Sequence, residues 1–264
     1  MHQVVVSDLD GTLLNSRHQI SARTRETLHE LVARGVEFVI ATGRHHVDVR
    51  SIRDNLGLNV SLITSNGAMV HDPDDQLIFN QTIPAELVDE LVGGFRLPGV
   101  HLNMFQGEHW LVEEVMPGML DFSPQSRFRY QLTDLLQAHK QGVEKVFYVG
   151  DHERLLRVEE RLINHFGDRL NITFSLPQCL EVMHCEVNKG SAVASLMGLR
   201  ETDMARVLAF GDGMNDVEML SRAGRGVVMA NAHARLHQAL PHHERALSAD
   251  EDGVAHYLQR VFRL

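Results

Sequence analysis

Three consecutive valines, Val4-Val5-Val6, run straight into Ser7-Asp8-Leu9-Asp10-Gly11-Thr12, and this junction limits the possible folds severely. The β-branched run is too short and too apolar for a helix and reads as a strand buried on both faces. Such strands belong to open parallel sheets, whose ligands bind beyond the carboxyl ends of the strands. Asp8 and Asp10 are therefore expected at a site. Two carboxylates this close repel unless a divalent cation lies between them, and hard oxygen ligands favour Mg²⁺. Gly11 allows the tight path that follows. Alone, the segment is equally a solvated Asp-Gly turn at a strand end; the rest of the chain decides between the two.

The opening eighty residues alternate strand and helix signals. Ser21 is a candidate N-cap for a helix with Leu28, Leu31 and Val32 on one face, closed by Gly35. Residues 36–41 form a second buried run, ending in Thr42-Gly43-Arg44. Val49, Ile52, Arg53 and Leu56 predict an amphipathic helix with Gly57 beyond it, and residues 60–64 a third strand ending in Ser65-Asn66-Gly67. Strands separated by helices in this way imply right-handed βαβ units.

From about Thr82 the texture changes. Pro84, Pro98, Pro117 and Pro124 punctuate shorter elements. Helices are expected over 86–95, 131–139 and 153–166. Short strands are expected over 100–103, 110–113, 145–149, 171–175 and 180–183, an α+β arrangement. After Val187 the first texture returns: Lys189-Gly190 opens a helix, and residues 207–210 form a buried strand running into Gly211-Asp212-Gly213-Met214-Asn215-Asp216. A further strand over 226–229 and a terminal helix follow. The expected fold is a doubly wound parallel-sheet core from residues 1–82 and 189–264, with an inserted α+β domain over 83–188.

Composition narrows the function. Of the 264 residues, 44% are apolar and 23% charged, and the net charge is −10, so a phosphate-backbone-binding surface is not expected. Neither a membrane span nor a signal-peptide layout is present, which points to the cytoplasm. Cys179 and Cys185 read as buried thiols rather than a disulfide. The seventeen His are scattered, without zinc-ligand spacing.

Strand ends of a parallel sheet share one edge, so Asp8 and Asp10, Thr42-Gly43-Arg44, Ser65-Asn66-Gly67, and Asp212, Asn215 and Asp216 can converge. Carboxylates supply a metal site and a nucleophile, Thr42 and Gly43 a hydroxyl and a backbone N–H for phosphate oxygens, Lys189 a point charge and Asn215 a neutral donor. Phosphoryl transfer needs this inventory. Singly, each residue has a plainer reading. Lys189 is a solvated helix-start lysine, Arg44 pairs with Asp48 at i,i+4, and Asn66-Gly67 is a turn. His45 and His46 are solvent-facing or at a helix N-terminus, and Met214, Met219, Phe105 and Trp110 are core.

Five segments taken together, Asp8-Leu9-Asp10-Gly11-Thr12-Leu13-Leu14, Ala41-Thr42-Gly43-Arg44, Ser65-Asn66-Gly67-Ala68, Lys189-Gly190 and residues 211–216, resemble the haloacid-dehalogenase superfamily phosphatases of the Cof type, in the family's order and over essentially the whole chain. Residues 42–56 also resemble an enterobacterial branch of that family associated with pyridoxal phosphate. The resemblance implies Mg²⁺-dependent hydrolysis of a small phosphorylated metabolite. Asp8 corresponds to the nucleophile, forming an aspartyl phosphate, and Asp10 to the general acid/base, whose carbonyl also reaches the metal. Asp212 corresponds to the third metal ligand, with Asp216 behind it. Leu9 (through its backbone), Thr42, Gly43, Lys189 and Asn215 correspond to phosphate-binding groups. Asp8 is then expected ionised while Asp10 holds a proton.

The inserted domain is implied to set specificity, with pyridoxal phosphate, flavin mononucleotide and sugar phosphates all open. A phosphomutase is a neighbouring alternative. A phospho-Asp signalling receiver is a different class, disfavoured by length.

Overall fold

The computed structural model describes residues 2–116 and 128–264; Pro117 and Pro124 lie outside them. In chain order, β1 (Val4–Ser7), α1 (Ala22–Ala33), β2 (Glu37–Ala41), α2 (His46–Leu56) and β3 (Ser61–Thr64) are followed by the short strands β4 (Met69–His71) and β5 (Leu77–Asn80). Next come α3 (Ala85–Gly94), β6 (Val100–Gln106), β7 (His109–Val112), β8 (Tyr130–Leu132), β9 (Val143–Gly150), α4 (His152–Phe166), β10 (Leu170–Leu176) and β11 (Cys179–His184). The chain closes with α5 (Lys189–Leu199), β12 (Val207–Gly211), α6 (Val217–Arg222), β13 (Arg225–Val228), α7 (Ala234–Ala239), β14 (Glu244–Arg245) and α8 (Gly253–Phe262).

Contacts divide these elements into two units, Met1–Ile78 with Asn188–Leu264, and Phe79–Val187. The first contains a sheet of order β14-β13-β12-β1-β2-β3-β4-β5, parallel from β14 to β3 and antiparallel between β3 and β4. Val5, Phe38, Ile40, Leu62, Leu208 and Phe210 point to one face and pack with Leu28 and Leu31 of α1, Val49 and Leu56 of α2, and Leu258 of α8. Helices α5 and α6 lie against the other side, next to β3, β4, β12 and β13. Each fully buried Leu, Ile, Val or Phe contributes about 1.5–3 kcal/mol, so a doubly wound sheet is what this pattern of apolar strands stabilises. Ser21 caps α1 by accepting from the Thr24 N–H, and Gly57 ends α2 in the left-handed conformation, as the sequence predicts.

The second unit is an α+β fold whose sheet has order β10-β11-β9-β6-β7-β8. Leu102, Met104, Val146, Tyr148, Leu180 and Val182 pack with α3 and α4 on one face. Phe105 and Trp110 are buried, their rings 6.0 Å apart in an edge contact, in agreement with a core role.

Two expectations need correction. The helix over 131–139 does not form: residues 130–132 pair in parallel with β7 instead, and the Asp134 side chain then accepts from the Leu136 N–H in a turn. Leu132 and Leu136 are 59% and 53% exposed and only Leu135 of the three is buried, so a helix there would have no apolar stripe to cover. Cys185 is exposed and Cys179 half-buried, both as free thiols. His45 and His46 stand at a helix N-terminus, one of the two places expected for them: both are buried, His45 caps α2 with its ring accepting from the Val47 N–H, and His46 is the first residue of that helix. Among the described residues, no helix is long and apolar enough to cross a membrane.

Candidate active site

Parallel register assembles the site. Ser7 is level with Ile40 on one side and Phe210 on the other, and Ala41 is level with Ile63. The chain therefore leaves β1, β2, β3 and β12 at one edge of the sheet, where residues 8–12, 42–44, 65–67 and 212–216 form adjacent loops. All lie in the first unit.

Lys189 is the centre of charge. It is fully buried and donates to Asp8 Oδ1 at 2.5 Å and to Asp216 Oδ1 at 2.7 Å, which overturns the solvated reading. Asn188 begins α5 in a reciprocal capping arrangement with Ser191, setting where Lys189 emerges. A Cβ at Gly190 would stand 2.6 Å from the Glu218 backbone; glycine lets α5 come close enough to α6 for Lys189 to reach Asp216. The other oxygen of Asp216 accepts from the backbone N–H groups of Asp212 and Gly213, both at 2.9 Å. Asp216 thus holds the loop and the lysine together.

Asp212 accepts from the Thr12 hydroxyl at 2.8 Å. Gly11 lies against the same carboxylate, with φ of +75° and room for no side chain: a Cβ there would be 2.4 Å from Asp212 Oδ2. Its carbonyl accepts from Asn231 at 2.7 Å. Leu9 is buried and its carbonyl accepts from Leu13 and Leu14, so its N–H is the polar group it can offer a ligand. The buried Thr42 hydroxyl accepts from the Arg44 N–H at 3.1 Å, which leaves its proton to donate. Asn215 donates to the Asn66 side-chain oxygen at 3.0 Å.

Asp10 stands apart from this cluster. Arg44 grips its carboxylate through Nε at 2.7 Å and Nη2 at 2.6 Å, and also donates to Asp48 at 2.9 Å; the expected Arg44–Asp48 pair is half of a three-residue bridge. Burial would raise Asp10, but hydrogen bonds from His18 and Arg44 and the Arg44 charge outweigh it and hold Asp10 well below the usual carboxylate range. Asp8 moves the other way: burial, together with the charges of Asp216 and Asp212, pushes it up against the pull of Lys189. Burial and Asp216 also push Asp212 up to about 7. Lys189 stays charged, because Asp216 and Asp8 outweigh its burial. Asp10 is thus the carboxyl held down and Asp8 the one pushed up, opposite in direction to the order the mechanism needs once a cation sits beside Asp8.

Carboxylate oxygens of Asp8, Asp212 and Asp216 lie within 4.8 Å of one another. If all three were ionised they would exceed the one ammonium by two charges (3 − 1) in a largely buried place; the upward shifts of Asp8 and Asp212 express that cost, and a cation would relieve it. A hard divalent ion suits this donor set in both charge and ligand chemistry.

Residues 5–258 match the model of the haloacid dehalogenase-like hydrolase family. The chain belongs to that family. A Haemophilus influenzae protein whose name specifies a phosphatase without a substrate is 43% identical, over 99% of this chain and 97% of its own. HMP-PP phosphatase of Yersinia enterocolitica is 38% identical, over 98% of this chain and 95% of its own. Among solved structures, a haloacid dehalogenase-like hydrolase from Bacteroides thetaiotaomicron is 28% identical with a TM-score of 0.85, over 99% of this chain and 100% of that one.

Several residues that shape the site of this haloacid dehalogenase-like hydrolase were not assigned their partners from the sequence. Arg44 as a partner of Asp10 was hidden because the two are joined only by strand register. Asn231, His18 and Asn188 sit in ordinary polar loops. Asn188 was the most legible: Asn followed three residues later by Ser ahead of an apolar run is a helix-start pattern.

Proposed function

We propose that this hydrolase is a Mg²⁺-dependent phosphatase of small phosphorylated metabolites that works through an aspartyl phosphate on Asp8. The observation that carries the reading is the gathering of three carboxylates, Asp8, Asp212 and Asp216, beside the single buried ammonium of Lys189. The side chains of Asp8 and Asp212 with the Asp10 carbonyl would hold Mg²⁺, which screens Asp8 from the phosphoryl charge and polarises the phosphoryl oxygens. Asp216 positions Lys189 and the 212–213 backbone.

An Asp8 oxygen attacks phosphorus, and the bond from phosphorus to the leaving oxygen breaks as Asp10 donates a proton to that oxygen. Asp10 then takes a proton from water as the water oxygen attacks phosphorus. The phosphorus–Asp8 bond breaks, returning the carboxylate and releasing inorganic phosphate. Lys189, the Asn215 amide, the Thr42 hydroxyl and the Leu9 and Gly43 N–H groups bind the phosphoryl oxygens. For Asp10 to act as an acid, Arg44 must release it and it must take up a proton from solvent before the leaving oxygen departs; in later turnovers the proton it takes from the attacking water serves. The inserted unit is assigned the choice of leaving group.

HMP-PP is favoured as substrate over the pyridoxal phosphate suggested by residues 42–56, because a relative 38% identical over nearly the full chain is named for it. A phosphate-release screen with Mg²⁺ over HMP-PP, pyridoxal phosphate, flavin mononucleotide and sugar phosphates tests this. HMP-PP is expected to give the highest kcat/KM. A higher value for pyridoxal phosphate reverses the substrate reading, isomerised rather than hydrolysed sugar phosphate indicates a phosphomutase, and no turnover of any of these removes the phosphatase reading.

A further inference from the structure

Ser65-Asn66-Gly67 has no part in the reaction above, yet three of the phosphate-directed groups are tied to it. The Asn66 N–H donates to the Thr42 carbonyl at 3.0 Å, and the Ser65 N–H to the Arg44 carbonyl at 2.9 Å. Gly67 passes so near the Asn188 carbonyl that a Cβ would be 2.6 Å from it, and Asn188 caps the helix that starts with Lys189. The Asn66 side chain accepts from Asn215. Resting on the phosphatase reading, we infer that Asn66 is a positioning residue, holding the Asn215 amide in the orientation that donates to the phosphoryl group and tying it to the loop of Thr42 and Gly43.

The physical reason lies in the symmetry of an amide. Asn215 can present either its NH₂ or its carbonyl to a ligand, and a carbonyl facing a phosphate oxygen is repulsive. The carbonyl of Asn66, 1% exposed, accepts one N–H of that NH₂, which stops the amide from turning and leaves the second N–H to donate. The backbone is committed to the same end. Ser65, Asn66 and Gly67 have φ of +49°, +58° and +102°, and consecutive left-handed residues of this kind persist only where the surroundings over-determine them. Asn tolerates that conformation and carries an acceptor; glycine supplies the first property without the second.

Asn66→Gly therefore separates the two roles. With p-nitrophenyl phosphate and Mg²⁺, it is expected to raise KM, and the inhibition constant of inorganic phosphate, by about five- to tenfold, while kcat changes by less than about threefold, as for a contact made equally in ground and transition states. In an Asn215→Ala background the same substitution is expected to add nothing. A full further loss in that background, or a fall in kcat with KM unchanged, overturns the inference.

If Asn66→Gly does not fold by circular dichroism, Asn66→Asp serves. It keeps the left-handed backbone and an acceptor but sets a buried negative charge against the Asn215 amide, so KM should rise, with little relief from salt at so buried a position; an unchanged KM overturns the inference. Wild-type protein run alongside separates the readings. No Mg²⁺-dependent turnover there removes the phosphatase reading and this inference with it, whereas normal turnover with an unaffected Asn66→Gly removes this inference alone.

Discussion

Arg44 binds both carboxylate oxygens of Asp10, at 2.6 and 2.7 Å. The pair joins the loop after β1 to the loop after β2. It holds Asp10 well below the usual carboxylate range in a half-buried position, whereas Asp8 and Asp212 nearby are pushed up. A carboxylate held this way is ready to accept a proton and must be released before it can give one. The Asp10 substitution follows from that asymmetry.

Asp10→Asn should slow the hydrolysis of alkyl phosphates strongly, since an alkoxide leaves poorly without a proton. The deficit should be smaller with p-nitrophenyl phosphate, whose phenolate needs little help. The phosphoenzyme then lacks its base, so rapid mixing should show a burst of about one p-nitrophenolate per active site before a slow steady state. Equal losses on both substrates with no burst would assign Asp10 to metal binding or structure.

Asp8→Asn keeps the shape of the side chain and removes its nucleophilicity. Its kcat should fall by at least ~10³-fold, on the order of 4 kcal/mol of barrier. Stability should not fall with it, because the substitution removes one of two buried carboxylates that share Lys189, with Asp212 also close by. Activity within tenfold of wild type would contradict covalent catalysis at Asp8.

Chelation should abolish turnover and leave the far-UV circular dichroism unchanged, since the apolar sheet needs no ion to form. Mg²⁺ at about 100 times its Kd should stabilise the protein by about 2.7 kcal/mol in thermal melts, and Asp212→Asn should remove that stabilisation. Ca²⁺ should inhibit, because its looser coordination misplaces Asp8 for attack. Undiminished activity in chelator would exclude the metal from the mechanism.

His71 should make the fold acid-sensitive. Its ring stacks on His46 with centroids 3.5 Å apart. Burial and the His46 charge hold it down at about 4, against a usual 6.5, with Arg53 acting in the same direction and Asp75 and Asp72 opposing. The unfolded chain takes up this proton near pH 6.5 and the folded chain only near pH 4. Its contribution to stability is therefore complete above pH 6.5 and is lost as pH falls towards 4, by up to about 1.4 kcal/mol per pH unit. His71→Phe keeps a ring and removes the proton. Urea unfolding at about pH 7.5 and about pH 5 should show a smaller acid loss in the variant than in wild type; equal losses would clear His71 of the effect.

Local pattern alone determined much of this protein. The valines of β1, the cap at Ser21, the glycine after α2 and the apolar runs of β2, β3 and β12 are each specified within a dozen residues, because strand burial, helix capping and left-handed turns are short-range choices. The convergence of Asp8, Thr42 and Asp212 was legible for the same reason: once the strands are parallel, their carboxyl ends must share an edge, whereas Lys189, at the start of a helix, was placed there only by the family resemblance. Tertiary structure alone decided the partners. The weak apolar spacing of residues 131–139 became a strand and turn because β7 offered a hydrogen-bonding edge. Arg44 went to Asp10 as well as Asp48, and Asn66 met Asn215 across 149 positions. Which carboxylate is pushed up and which is held down depends on burial and on charges a few ångströms away, and these come from chain segments whose separation in sequence says nothing about their distance in the fold.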